Sequence, residues 1–376
     1  MNEKDQCYHK AVQILEHCVQ PIGFHASGLP GGYQALWARD SMIATLGAVF
    51  IQDSFKQTIK KSFITLAQNQ SKLGQIPNCV GDFNFDRQSK ITFNTIDSNL
   101  WYLVGHKIYE KKFNDRSLAK KYASSIHRAL LWLAYQDPNE DLLLAQQPTM
   151  DWQDAFPHKY GHTIYALALY YAVLKLYGKK SLALRIQKII NGNYYHSLYN
   201  AQKGYYYPWI WKNHDGIREQ SEWFDTFGNL LAIIMGLATE KISQHIVSYI
   251  QKHQIDKPYP CKSLYPPIRK QDQEWQPYFT KCSAKTPYQY LNAGIWPVLG
   301  GFYVAALVKI KKFHEAEKQL EKLSQANKLG KKKEWEFNEW LDGKRGIPKG
   351  TPYQGWSAAS YIFAHACVKQ KKVPFF

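Results

Sequence analysis

The sequence predicts an all-α protein, an (α/α)6 barrel in which six outer and six inner helices form a closed toroid. Two observations predict it: two kinds of helix alternate along the chain, and the connections between them alternate between long and short. A third, the crowding of indoles and carboxylates on the long connections, predicts which face carries the site.

The outer helices are striped. Phe55, Ile59, Phe63 and Leu66 recur at helical spacing with lysines and glutamine between them. Leu118, Tyr122, Ile126, Leu130 and Leu133 repeat the pattern, as do Phe313, Ala316, Leu320 and Leu323. Such a stripe buries one side of a helix and wets the other. The first stripe helix spans about 5–19.

The inner helices are apolar nearly all round: Met42 to Ile51, Leu100 to Tyr109, Ile164 to Leu176, Leu230 to Ala238, Val298 to Ile310 and Ala358 to Val368. A helix apolar on every side must be covered on every side. Six of them, starting near 40, 95, 161, 221, 290 and 355, therefore need a surrounding layer, which the striped helices supply. An irregular bundle or open solenoid is the alternative, and the all-round burial favours the closed ring.

Inner-to-outer turns are short, as at Lys111–Asp115 and Gly178–Ser181. Outer-to-inner connections are long, roughly 20–39, 70–94, 136–160, 194–220, 253–289 and 328–354. Long loops in a compact domain are usually functional, and all six fall where the inner helices begin. The doublets Lys111-Lys112, Lys179-Lys180, Lys311-Lys312 and Lys371-Lys372 fall at the opposite face. There the helix dipoles favour cations.

With 376 residues, 45% of them hydrophobic, and no Ser/Gly-rich or Pro-rich divider, residues 1–376 read as one domain. The N-terminus shows no apolar signal region, and the longest apolar runs are about half a membrane span. Six scattered cysteines form no metal-binding spacing, so reduced thiols, a cytoplasmic location and no metal are expected. The net charge of +18 comes as dispersed lysines without a nucleic-acid motif. The expected partners are a small-molecule or oligosaccharide substrate, with a second copy of the chain as an option, and neither nucleic acid nor membrane. No cofactor is expected: there is no Gly-rich phosphate loop, nor is there a GxSxG elbow.

The long-loop face collects Tyr33, Trp37, Arg39 and Asp40; Asp82, Asp86, Asp97 and Trp101; Asp151, Trp152, Asp154, His158 and His162. Further along come Glu222, Trp223, Asn292, Trp296, Glu339, Trp340, Gln354 and Trp356. Most of the 12 tryptophans lie here, while the inner helices are mainly small aliphatics. Indole faces suit the C–H faces of sugars, and carboxylates and amides suit hydroxyls, so carbohydrate binding is expected. Cleaving a glycosidic bond takes two carboxyl groups, one of them kept protonated by apolar neighbours. Asp154, beside Ala155, Phe156 and Pro157, and Glu339, between Asn338 and Trp340, suit that chemistry, though composition alone does not select them. Asp40 and Asp97 also read as helix N-caps, with Arg39 a natural carboxylate partner. Proton transfer by His158 or His162 in a sugar isomerase or epimerase is a rival, as is a silent sugar-binding protein.

The strings WARDS (37–41), GQIPN (74–78), NTIDSNLW (94–101), DWQDAF (151–156), WFDTFGNLLAI (223–233), LNAGIWPVL (291–299) and FNEWLDGKRGIPKGTPYQGWSAA (337–359) resemble six-hairpin glycosidases. Two groups are similar: the amylo-α-1,6-glucosidase domain of glycogen debranching enzymes and the neutral/alkaline invertases. The resemblance implies an (α/α)6 barrel and an inverting mechanism with Asp154 as general acid and Glu339 as general base. It implies that Trp37, Arg39 and Asp40 grip the terminal sugar, and that Asp97, Trp101, Asn292, Trp296, Gln354 and Trp356 line the pocket. Trp152, His162, Glu222 and Trp223 complete the expected substrate-binding set. The invertases carry an arginine pair after the acid, where this chain has Ala155 and Phe156. The resemblance thus implies exo-action on short α-glucosides or glucan branches, with sucrose as the alternative. An inverting pair should stand roughly 6.5–9.5 Å apart.

Overall fold

The structure is a computed structural model that describes residues 2–51, 53–82 and 89–376. Asp86 lies outside them. Thirteen α-helices occur among the described residues. They are α1 (Glu3–His17), α2 (Ala38–Ala48), α3 (Lys56–Gln68), α4 (Asp97–Phe113), α5 (Ser117–Lys121), α6 (Ala123–Ala134) and α7 (Ile164–Leu176). They continue with α8 (Lys180–Asn191), α9 (Thr226–Met235), α10 (Glu240–Lys252), α11 (Pro297–Lys309), α12 (Phe313–Lys328) and α13 (Gly355–Gln370).

The six apolar helices form the inner ring. Around it α2 packs on α4, α4 on α7, α7 on α9, α9 on α11, α11 on α13, and α13 back on α2. Their burial follows from their composition: every residue of α2, and every residue of α11 from Pro297 to Val308, is buried. The closure at α13 is tight. A Cβ on Gly47 of α2 would lie 2.2 Å from the Ala359 carbonyl oxygen, and one on Gly301 of α11 would lie 2.5 Å from that of Ser360. Glycine on both flanks lets α13 seat between its neighbours.

The striped helices form the outer layer. In α10 the buried set is Ile242, Ser243, Ile246, Val247 and Ile250, spaced for one face. The third outer helix, expected as one piece, is broken at Tyr122, whose φ of −106° and ψ of 26° leave the helical region. Its apolar stripe still faces inward through Leu118, Ile126 and Leu133. No helix among the described residues is long and apolar enough to cross a membrane.

The long connections differ from expectation. They carry short strands, and these stitch neighbouring loops into a collar. Ala35–Trp37 pairs with Cys79–Gly81, joining the first and second loops. Ile96 N–H donates to the Met150 carbonyl, joining the second and third. His162 pairs with Ile210, Phe224 with Tyr265, and Ile295 with Leu341. Ser27 with Gln354 completes the circuit. Strands of two to six residues are too short to register as alternating hydrophobicity.

Two expected caps are corrected. The cap positions are Trp37 and Ile96, so Asp40 and Asp97 sit inside the first turns of α2 and α4. Their charge still faces the positive helix ends. Side-chain caps come instead from Thr163, to Ala166 N–H, and Asp225, to Gly228 N–H.

Candidate active site

At the mouth of the inner ring lies a hollow of about 270 Å³. Its wall brings together Trp37, Arg39 and Asp40 from the start of α2, Trp152 and Asp154 from the third loop, and Trp296 from the start of α11. Glu339, Gln354 and Trp356 close it from the sixth connection and α13. Ala26, Tyr33 and Tyr290 also line it.

The wall is aromatic. Trp296 stands edge-on to Trp152 and to Trp356, with ring centroids 5.7 Å apart in each case. Tyr290 lies 5.4 Å from Trp296. Arg39 sits over Trp356, its guanidinium carbon 5.6 Å from the ring centre. Several wall residues leave a polar atom without a hydrogen-bond partner: Arg39 Nε, Asp40 Oδ2, Trp152 Nε1, Gln354 Nε2 and Trp356 Nε1. Buried polar atoms are ordinarily paired, so this set invites a hydroxyl-rich ligand.

Glu339 is held at both oxygens. Tyr33 O–H donates to Oε1 at 3.0 Å, and Thr351 N–H donates to Oε2 at 3.0 Å. Gly350 makes this possible: a Cβ there would lie 2.5 Å from Oε2. Burial pushes the Glu339 carboxyl up to about 7, against the pull of those two donors, and Asp154 and Asp40 push it further. No donor among the described residues hydrogen-bonds Asp154. Burial raises it to about 6 despite the attraction of Arg39, and Asp97, Asp40 and Asp151 add to the rise. Two interacting carboxyls with raised affinities titrate as a pair, which holds one proton near neutral pH.

Beneath the wall, charge is organised in two buried networks. Arg39 Nη1 lies 3.2 Å from Asp97 Oδ2, and Nη2 lies 3.6 Å from Asp40 Oδ2. Burial opposes the Arg39 charge, but those two carboxylates more than offset it. Tyr165 O–H donates to Asp97 Oδ2 at 2.9 Å and accepts from Trp101 Nε1 at 2.9 Å. The second network centres on Lys159, which has no exposed side-chain surface. Its Nζ reaches Gln153 at 2.6 Å, Asp151 at 3.0 Å and Asp225 at 3.3 Å. It thereby fixes the turn bearing Trp152 and Asp154 against the start of α9.

Several expected binding residues lie off the wall. Asp97 and Trp101 are fully buried and act beneath it through Arg39 and Tyr165. Trp223 is buried in the core. Glu222 is exposed and pairs with Lys203 on the outside. Asn292 braces the fifth loop, accepting from Ile268 N–H and donating to the Ile268 and Ala284 carbonyls. His162 points its Nδ1 at the Leu144 carbonyl, 3.1 Å away, and lies against Trp211. His158 hydrogen-bonds Tyr278 at the surface.

Tyr290 and Lys159 carry no signal of their roles in the sequence. A lysine in a loop reads as solvated, and nothing in its neighbours signals two carboxylates brought from elsewhere. Tyr290 has φ of 47°, and Ala293, Phe337 and Tyr353 near the wall also have positive φ. Strained backbone of this kind gathers at functional sites and carries no sequence signature.

The family described as alkaline and neutral invertase matches residues 197–371. A mitochondrial alkaline/neutral invertase C of Arabidopsis thaliana is 30% identical over 152 residues, 39% of this chain and 22% of that protein. Cytosolic invertase 1 of Oryza sativa subsp. japonica is 33% identical over 153 residues, 39% and 26% of the two chains. The chain thus spans about a quarter of the length of these relatives. Among solved structures, the GH63 mannosylglycerate hydrolase of Thermus thermophilus superposes with a TM-score of 0.71 at 13% identity. The match covers 95% of this chain and 99% of that one. A bacterial glucoamylase complexed with acarbose gives 0.60 at 13% identity, covering 99% and 57%.

The fold is the (α/α)6 toroid of these solved structures. In this six-hairpin chain the inner helices open onto the hollow and the stitched collar surrounds it, so the candidate carboxylates stand at the open mouth of the toroid.

Proposed function

We propose that this six-hairpin protein is an inverting, exo-acting glycoside hydrolase of short α-glucosides, with Asp154 as general acid and Glu339 as general base. One observation carries the reading: two carboxyls with raised proton affinity share one sugar-sized hollow, several of whose other polar atoms lack a hydrogen-bond partner.

The chemistry follows from the surroundings. A glycosidic oxygen beside Asp154 accepts its proton, which favours the neutral acid on that side. A water beside Glu339 donates to it, which favours the carboxylate on the other. Glu339 then takes the water's proton as the oxygen attacks the anomeric carbon, and Asp154 protonates the leaving oxygen. Tyr33 and Thr351 favour the ionised form of the base, against the burial that raises its proton affinity, and aim it. The indoles and Arg39 hold the ring. Arg39, tied beneath the wall to Asp97 and so to Tyr165, suits a grip on a terminal sugar, which would make the action exo.

A second reading, hydrolysis of sucrose, is favoured by the family match over residues 197–371 and by relatives named as invertases. The isomerase rival loses ground because the lining residues include no histidine. Incubation with sucrose, isomaltose, maltose, trehalose and limit dextrin, followed by proton NMR of the first sugar released, tests the proposal. Inverted configuration with one of these supports it. Retained configuration, or conversion of one sugar to another without cleavage, overturns it.

A further inference from the structure

We propose that Asp141, His162 and His196 form a binding site for a divalent transition-metal ion of the zinc class. None of the three lines the hollow, so the site would be structural. One ligand atom of each lies within 4.8 Å of those of the other two. Asp141 Oδ2 stands 3.8 Å from His196 Nε2. Zinc bonds of about 2.0–2.2 Å place tetrahedral ligand atoms about 3.3–3.5 Å apart. Closing the remaining gap of up to about 1.5 Å falls to Asp141 and His196, whose side chains are 23% and 32% exposed and free to rotate.

The outer atoms of two ligands are already engaged, which leaves the inner ones to converge. The Leu144 carbonyl can only accept, so His162 Nδ1, 3.1 Å away, carries the proton and Nε2 keeps its lone pair. This backbone anchor on the far nitrogen is the usual support of a metal-bound imidazole. Asp141 Oδ1 accepts from Leu143 N–H at 2.9 Å, while Oδ2 is buried with no hydrogen-bond partner. His196 Nδ1 is likewise buried and unpartnered. The backbone around His196 is fixed by Arg218 Nη1, which donates to the Tyr195 and Ser197 carbonyls at 2.9 Å each. His162 is 1% exposed and held in a strand pairing with Ile210.

Two imidazoles and one carboxylate suit zinc, with water in the fourth position. Asp141 lies near the start of the third long loop, His162 at its end and His196 at the start of the fourth. An ion there would close the segment that carries Trp152 and Asp154, and so stiffen the turn presenting the candidate acid.

The competing account is a plain ion pair between protonated His196 and Asp141. Calorimetric titration of chelator-stripped protein with zinc chloride at pH 7.5 separates the two, with His196→Ala and Asp141→Asn run alongside. Partly exposed His196 can be truncated without opening the core, so the fold survives. The proposal expects one zinc per chain, a rise in Tm on zinc addition, and affinity at least about a hundredfold weaker in His196→Ala. Cobalt in place of zinc should give the visible absorption of a tetrahedral site in wild type alone. No uptake by wild type, or equal uptake and equal Tm shift in both variants, overturns it.

Discussion

Tyr33 O–H donates to Glu339 Oε1 at 3.0 Å, tying the first long loop to the sixth across the mouth of the barrel. The bond stabilises the ionised carboxylate, so losing it raises the Glu339 pKa. In Tyr33→Phe the alkaline limb of the kcat/KM profile, set by the group that titrates near 7, should therefore move to higher pH. Activity at the optimum should fall about tenfold to a hundredfold, the size of effect expected for a hydrogen bond to a charged group. An unmoved limb would show that Tyr33 does not act on Glu339.

The carboxyl pair sets the pH dependence. Below about 6 both groups hold protons and the base is lost; above about 7 both are ionised and the acid is lost. A bell-shaped kcat/KM with limbs near those values is expected. A flat profile from pH 5 to 9 would contradict the pairing.

Glu339→Gln should abolish most turnover, by several orders of magnitude, yet stabilise the fold at alkaline pH. The folded-state pKa of about 7 exceeds the ordinary 4.5, so the folded chain holds this proton longer than the unfolded chain. Stability therefore falls as pH rises from 4.5 to 7, and the penalty persists above, up to about 3 kcal/mol. Gln carries no such penalty. Thermal melts should place the variant above wild type at pH 8 and level with it near pH 4. Asp154→Asn should match the activity loss, and near-normal turnover would remove Asp154 from its role.

Lys159→Met should destabilise the protein by about 3–5 kcal/mol, because it strands Asp151 and Asp225 in the interior. Lowering the pH should recover part of the loss by protonating Asp225, whose proton affinity burial raises. Urea melts at pH 7 and pH 5 check both points.

Gly47→Ala tests the ring closure. The added Cβ meets the Ala359 carbonyl at 2.2 Å, which forces α2 and α13 apart. A loss of about 1–3 kcal/mol is expected in denaturant melts. Unchanged stability would mean that the crossing is looser than described.

Residues such as Ile164–Leu176, apolar on every side, and Glu240–Lys252, apolar on one, carry their positions in their own pattern. Burial of a helix face is a local demand written at fixed spacing. The twelve-helix plan, the inner and outer layers and the functional face were therefore legible in the sequence by itself. So were Trp37, Arg39, Asp40, Trp152, Trp296, Gln354 and Trp356 as wall residues, with Asp154 and Glu339 on the same wall. The tertiary structure alone decided which loop residues face the hollow and which brace it. Asn292 and Trp101 went beneath or behind the wall, Glu222 went outside it, and Tyr33, Tyr290 and Lys159 gained partners from distant loops. Those outcomes depend on contacts between segments far apart in the chain, such as Ile295 with Leu341 and Ser27 with Gln354. No local pattern encodes a partner that arrives only when the ring closes.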